Sequence, residues 1–244
     1  MEDTVNARNI ALAEALNLPL LTHCSTCQGV LGHVDERLKA AQRDRPDYVA
    51  QVNQLLQNEG GCSPYQGSTD VKHLLWALVS DFGLDNLQQR VMRKLSGLKC
   101  AAFYGCYLLR AQEQMPYDDP FNPVALENVF RTVGATPVVY PGRTQCCGWP
   151  ISSYATEQSF QLAGKHIQAA IAAGADCLVT PCPLCHLNLD SRQPEVEQVM
   201  GAKLGLPVLH LSQLVALAVG VPPAELGLDR HVVSTRSLLA KLNV

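Results

Sequence analysis

Ten of the 244 residues are cysteines, and seven of them fall in groups whose spacing suits ligation or redox chemistry. Cys146 and Cys147 are adjacent and followed by Gly148, and Cys182 and Cys185 close a Cys-x-x-Cys in LVTPCPLCHLNLD. A regular strand or helix cannot point two adjacent side chains the same way. Cys146–Cys147 therefore needs an irregular turn, which Gly148 and Pro150 permit. Pro183 suits a first helical position, so Cys182 and Cys185 sit where a helix should start, and the helix dipole favours thiolate there. Cys106 and a second Cys-x-x-Cys, Cys24 and Cys27, complete the set. Thiolate-rich sites suit iron–sulfur clusters or zinc. Taken alone, Cys182 and Cys185 also read as a thioredoxin-like dithiol. A structural zinc site would leave Cys146 or Cys147 unexplained.

Composition narrows the setting. Hydrophobic residues are 47% and charged residues 17%, with a net charge of -3, as in soluble α/β proteins. No basic stripe offers itself to nucleic acid. The polar, acidic start MEDTVNARNI lacks the apolar run of a signal peptide. A reducing, cytoplasmic setting is expected, where ten thiols imply a metal or redox centre rather than five disulfides. The apolar run 207–223 is too short to span a bilayer.

The elements that must present these thiols alternate. Helix is expected over 4–16, stopped at Asn17, then a strand in LPLLTHC, helix-prone sequence around Pro46, and an amphipathic helix over 84–95 closed by Gly97. A second module starts at Leu98 with the buried-strand pattern LKCAAFYG before Cys106. A helix over 124–133, the strand ATPVVYP, a helix over 156–173 with Phe160, Ile167 and Ile171 on its apolar face, and the strand DCLVT follow. Strands separated by such helices imply βαβ units and mainly parallel sheets. Loops after the carboxyl ends of parallel strands share one edge, so the thiols can converge.

The two Cys-x-x-Cys regions repeat. Leu20 to Cys27 matches Leu178 to Cys185 at a constant offset of 158, and VKHL at 71–74 matches VLHL at 208–211. The predicted architecture is two tandem modules, 1–97 and 98–244, the first lacking the strands and thiols that would precede it. From the repeat offset, the first copy begins about fifty residues late. Truncation, or a partner that supplies the missing edge, would account for this.

The arrangement resembles the cysteine-rich CCG domain of the heterodisulfide reductase B-subunit family. That family's pattern is one cysteine, Cys-Cys-Gly and Cys-x-x-Cys, and gaps of 39 and 34 residues here conform. NARNIALAE, FYGCYLLR, the DDPFNP loop, CCGWP and TPCPLCHLNLD carry the likeness, which spans the chain and extends to relatives like the E subunit of succinate dehydrogenase. The resemblance implies an α/β fold of two CCG modules. It also implies a noncubane 4Fe-4S cluster on Cys106, Cys146, Cys147, Cys182 and Cys185, with Cys24 and Cys27 as an incomplete first site that Cys62 completes only if its loop folds back. It implies a heterodisulfide reductase-like oxidoreductase component that trades electrons with a thiol or disulfide, served by ferredoxin-like and flavin-containing subunits. An electron-transfer or anchor subunit working with quinone at a membrane surface, and a zinc-stabilised binding module, are the alternatives. Cys100 and Cys177 read as core and Cys62 as a loop thiol. His73 and His210 read as structural hydrogen-bonders at helix starts. His186 reads as a neighbour that tunes the site or donates a proton, or equally as a structural group behind the thiols, Arg110 as an anion binder or helix cap, and Trp149 as a water shield.

Overall fold

The computed structural model describes residues 2–58, 62–109 and 117–244. Arg110 lies outside them. The chain begins with helix α1 (Glu2–Ala15), strand β1 (Leu20–Thr22), α2 (Ser25–Asp44) and α3 (Pro46–Asn58). Strand β2 (Val71–His73), α4 (Leu74–Trp76), a π-helical stretch (Ala77–Gly83) and α5 (Leu84–Arg90) follow. The second half runs β3 (Lys99–Ala102), α6 (Ala125–Thr132), β4 (Thr136–Val138), α7 (Thr156–Ala172), β5 (Cys177–Thr180), α8 (Pro183–His186), α9 (Gln193–Met200), β6 (Val208–His210), α10 (Leu211–Ala218) and α11 (Arg236–Lys241).

All strand pairs among the described residues are parallel, in a two-stranded sheet β1–β2 and a four-stranded sheet ordered β4–β3–β5–β6. Both faces of the larger sheet are covered, so its strands are apolar on both sides. Cys100, Ala102, Tyr104, Cys177 and Val179 face Leu126, Phe130, Leu214 and Leu238. The alternate residues Ala101, Phe103 and Leu178 face Phe160, Ile167 and Val196, as the two-residue period of a strand requires. A third core joins α1, α2 and α3 through Ile10, Val34, Leu38 and Val52.

The internal repeat holds in three dimensions. Leu20 pairs with Val71 and Thr22 with His73; their counterparts Leu178 and Val208, and Thr180 and His210, pair in the same register. Two expectations need correction. Helix α5 stops at Arg90, not Leu95, because the Met92 and Arg93 amides turn to the Ala218 carbonyl and the Leu95 amide to Val133 O. Ile171 is 39% exposed and lies off the buried face of α7.

Candidate metal centre

Strands β3, β4 and β5 deliver their thiols to one edge of the larger sheet, and β1 of the smaller sheet delivers Cys24. Cys106 follows β3, Cys146 and Cys147 follow β4, Cys182 follows β5 and Cys24 follows β1. The sulfurs of Cys24, Cys182, Cys185, Cys147 and Cys146 interact as a continuous string through side-chain hydrogen bonding. Cys106 adjoins the string, since a Cβ built on its neighbour Gly105 would stand 3.0 Å from Cys185 Sγ. The structure thus joins Cys146, Cys147, Cys182 and Cys185 of the five predicted ligands and brings the backbone beside the fifth, Cys106, to them.

It also brings Cys24 to them, although the sequence assigned Cys24 and Cys27 to a site of their own. Cys24 is buried against Cys182, whereas Cys27 is exposed and donates its amide to Cys24 Sγ at 3.5 Å. Cys62 packs beside α1, its Sγ 4.0 Å from Arg8 O, half-buried against the core of the first three helices. Cys100 and Cys177 are fully buried partners across β3 and β5, with sulfurs 3.7 Å apart.

Two histidines join the halves reciprocally. His73 caps α4 by accepting the Leu75 amide at Nδ1 and donates from Nε2 to Pro181 O, 3.0 Å away. His210 caps α10 by accepting the Ser212 amide, and its Nε2 donates to His23 O at 3.1 Å. Pro181 and His23 are equivalent positions of the repeat, each immediately before a Cys-x-x-Cys. Each half therefore holds the other's thiol turn. Gly29 of α2 packs where a Cβ would meet Tyr107 Cδ1 at 2.7 Å, which seats the first half against the Cys106 turn.

The Cys-Cys-Gly turn is held from its carbonyls. His166 Nε2 donates to Cys146 O at 3.0 Å, and buried Asn188 donates to Cys147 O at 2.7 Å and to Ser159 Oγ at 3.2 Å. Gly148 has φ 94° and leaves no room for a side chain, since a Cβ would fall 2.7 Å from Ser159 O. With the turn fixed, the Gly148 amide points at Cys146 Sγ and the Trp149 amide at Cys147 Sγ, at 3.4 and 3.5 Å.

These contacts shift the thiols in opposite directions. Cys182 is driven well below the ordinary thiol range by hydrogen bonding from Cys185 and Cys24, assisted by the Cys185 and Thr26 amides against the cost of burial. Cys185 is pushed far up by its bonds to Cys147 and Cys182, and Cys24 by its bond to Cys182. Cys147 is pushed up to about 12, chiefly by Cys146. A dense set of sulfurs facing amide donors is a donor set for a thiophilic cation or cluster, so the residues present fit an iron–sulfur group.

His166 and Asn188 were not anticipated, because no spacing marks them. His186, Asp190 and His231 also gather, with one ligand-type atom of each within 4.8 Å of the others. Gln213 explains why this is no cation site. Its Oε1 accepts the His210 amide and its Nε2 donates to Leu226 O and to His231 Nε2, so the His231 proton sits on Nδ1, 3.7 Å from Asp190. His186 donates to Val208 O and packs edge-on to His231.

The chain resembles known proteins in sequence and in fold. Residues 100–190 match the cysteine-rich CCG domain. The chain is 39% identical over 96% of its length, and 78% of the relative's, to the membrane anchor subunit of the 8-methylmenaquinol:fumarate reductase of Wolinella succinogenes. It is 32% identical over 97% of its length, and 77% of the relative's, to the B subunit of the ferredoxin:CoB-CoM heterodisulfide reductase of Methanosarcina mazei. A protein of Archaeoglobus profundus named for its likeness to the heterodisulfide reductase B subunit matches at 32% over 91% of the chain and 73% of that protein. The fold is shared with a hypothetical protein from Helicobacter pylori, at a TM-score of 0.73 and 16% identity; the alignment covers 95% of this chain and 41% of that one. Thiol pattern, parallel βαβ topology and near full-length similarity together place the chain in the heterodisulfide reductase B-subunit family.

Proposed function

We propose that the chain is an iron–sulfur electron-transfer subunit of a heterodisulfide reductase-like oxidoreductase, with its cluster on Cys106, Cys146, Cys147, Cys182 and Cys185. The observation that carries this reading is the sulfur string from Cys146 to Cys182 at one sheet edge, met by backbone amides. A noncubane 4Fe-4S cluster on these thiols would supply single electrons to a two-electron disulfide bond. Residues 1–97 and 98–244 are read as two CCG-type modules, the second carrying the ligand set.

The chain's own residues prepare the site. His166 and Asn188 hold the Cys-Cys-Gly carbonyls so that both sulfurs turn inward. Hydrogen bonding from Cys185 and Cys24 favours the thiolate form of Cys182. Trp149, half-buried beside Cys147, limits water at that edge. Electrons arrive from ferredoxin-like and flavin-containing partner subunits, in a cytoplasmic or membrane-peripheral complex. No helix among the described residues is long and apolar enough to cross a membrane.

A second reading is favoured by the 39% identity to the fumarate reductase anchor subunit. In it the same thiol site relays electrons between quinol and a partner. Anaerobic purification, metal and acid-labile sulfide analysis, and EPR after oxidation in the presence of a thiol test both readings. Iron and sulfide with a thiol-dependent signal are expected for the first, and a signal that responds to quinol but not thiol for the second. Colourless protein with stoichiometric zinc would overturn both in favour of a zinc-stabilised module.

A further inference from the structure

Tyr140 carries a buried hydroxyl that no described residue engages. It stands two residues beyond β4, on the segment that leads to Cys146, and is 3% exposed. It packs in the same core as Cys147, Cys182 and Cys185, and its Oη has no hydrogen-bond partner among the described residues. Such a group carries its full desolvation cost, so folded proteins rarely leave one unpaired.

The ionisable groups whose charge reaches this hydroxyl are Glu127, Arg143 and Cys185. Glu127 is already engaged, with Oε1 accepting from Arg143 and Oε2 from the Tyr104 hydroxyl. Arg143 is engaged as well, by Glu127, Pro123 O and Asn122. Tyr104 shows what a satisfied tyrosine in this region does: it donates to Glu127 and accepts the Leu126 amide. Of the three, Cys185 is the one that belongs to the sulfur site and shares a core with Tyr140.

We propose, resting on the iron–sulfur reading above, that the Tyr140 hydroxyl donates a hydrogen bond to sulfur of the cluster on the Cys185 side and raises its reduction potential. The reduced form carries one more negative charge than the oxidised form. It accepts the stronger hydrogen bond and is the form stabilised.

Tyr140→Phe removes the hydroxyl and keeps the ring packed. The variant should bind iron and sulfide as the parent does, yet hold roughly tenfold less reduced form at a fixed potential, which is ~59 mV for a one-electron couple. Proton ENDOR of the reduced parent should show a solvent-exchangeable coupling that Tyr140→Phe lacks. Incorporation of 3-fluorotyrosine at position 140, a stronger donor, should move the potential the opposite way, and carries the test if the Phe variant loses iron. Metal-free Tyr140→Phe should be no less stable than the metal-free parent. A clear loss there would reveal a protein partner for the hydroxyl and overturn the proposal. An unchanged potential and coupling in iron-loaded Tyr140→Phe would also overturn it while leaving the cluster reading intact. A parent protein free of iron and sulfide would overturn both.

Discussion

Replacing Gly148 with alanine tests whether the Cys-Cys-Gly turn is built as described. Gly148 has φ 94° and ψ -10°, and the added Cβ would lie 2.7 Å from Ser159 O, 3.0 Å from its Cα and 3.1 Å from its Oγ. The left-handed backbone costs an L-residue about 1–2 kcal/mol. Forcing a methyl against the backbone of α7 adds about 1–3 kcal/mol. The sum is about 2–5 kcal/mol, and it falls on the turn that aims Cys146 and Cys147. Gly174 supplies the control, with φ 79° and nothing within 4 Å of its Cβ position, so Gly174→Ala should cost only the backbone share, about 1–2 kcal/mol. Urea unfolding of the metal-free proteins measures the difference, and iron content after anaerobic reconstitution reports the turn. If Gly148→Ala unfolds no earlier than Gly174→Ala and retains full iron, the close approach to Ser159 does not shape the site.

Further predictions concern the groups that hold the thiol turns. Burial pushes His73 down to about 4 from an ordinary 6.5, so the folded protein keeps it neutral while the unfolded chain takes up a proton below pH 6.5. The unfolded state then binds more protons, and stability falls as pH drops from 6.5 towards 4, by about 3 kcal/mol for this residue. Urea unfolding across that window should show this loss in the parent and not in His73→Gln; parallel curves would contradict it. Asn188→Asp keeps the shape but cannot donate to Cys147 O, and should cost about 1–3 kcal/mol. A change below about 0.5 kcal/mol by the same assay would show that the carbonyl has other support.

The parallel sheets were legible because the strands around Cys100 and Cys177 are continuous apolar runs between amphipathic helices, a pattern that only a sheet covered on both faces explains. The repeat was legible because identical spacing survives in LLTHCSTC and LVTPCPLC. The end of α5 was not, because it depends on the carbonyls of Ala218 and Val133, far away in sequence. His73 and His210 were readable as helix-start hydrogen-bonders from their matched positions. Their reach across to Pro181 and His23 depends on how the halves face one another, which no local pattern encodes. The same holds for Cys24, whose contact with Cys182 joins thiols 158 residues apart. Tyr140 carries no motif at all; only the burial of its hydroxyl in the folded chain marks it.

The central claim is that five named sulfurs hold an iron–sulfur cluster. Iron, acid-labile sulfide and the EPR signal of the anaerobic protein, measured in single serine variants, test it most directly. Replacement of Cys106, Cys146, Cys147, Cys182 or Cys185 should remove or reshape the signal and lower the iron content. Cys62→Ser, on the far core beside Arg8, should leave both unchanged. A full-intensity, unaltered signal in Cys147→Ser would contradict the assignment.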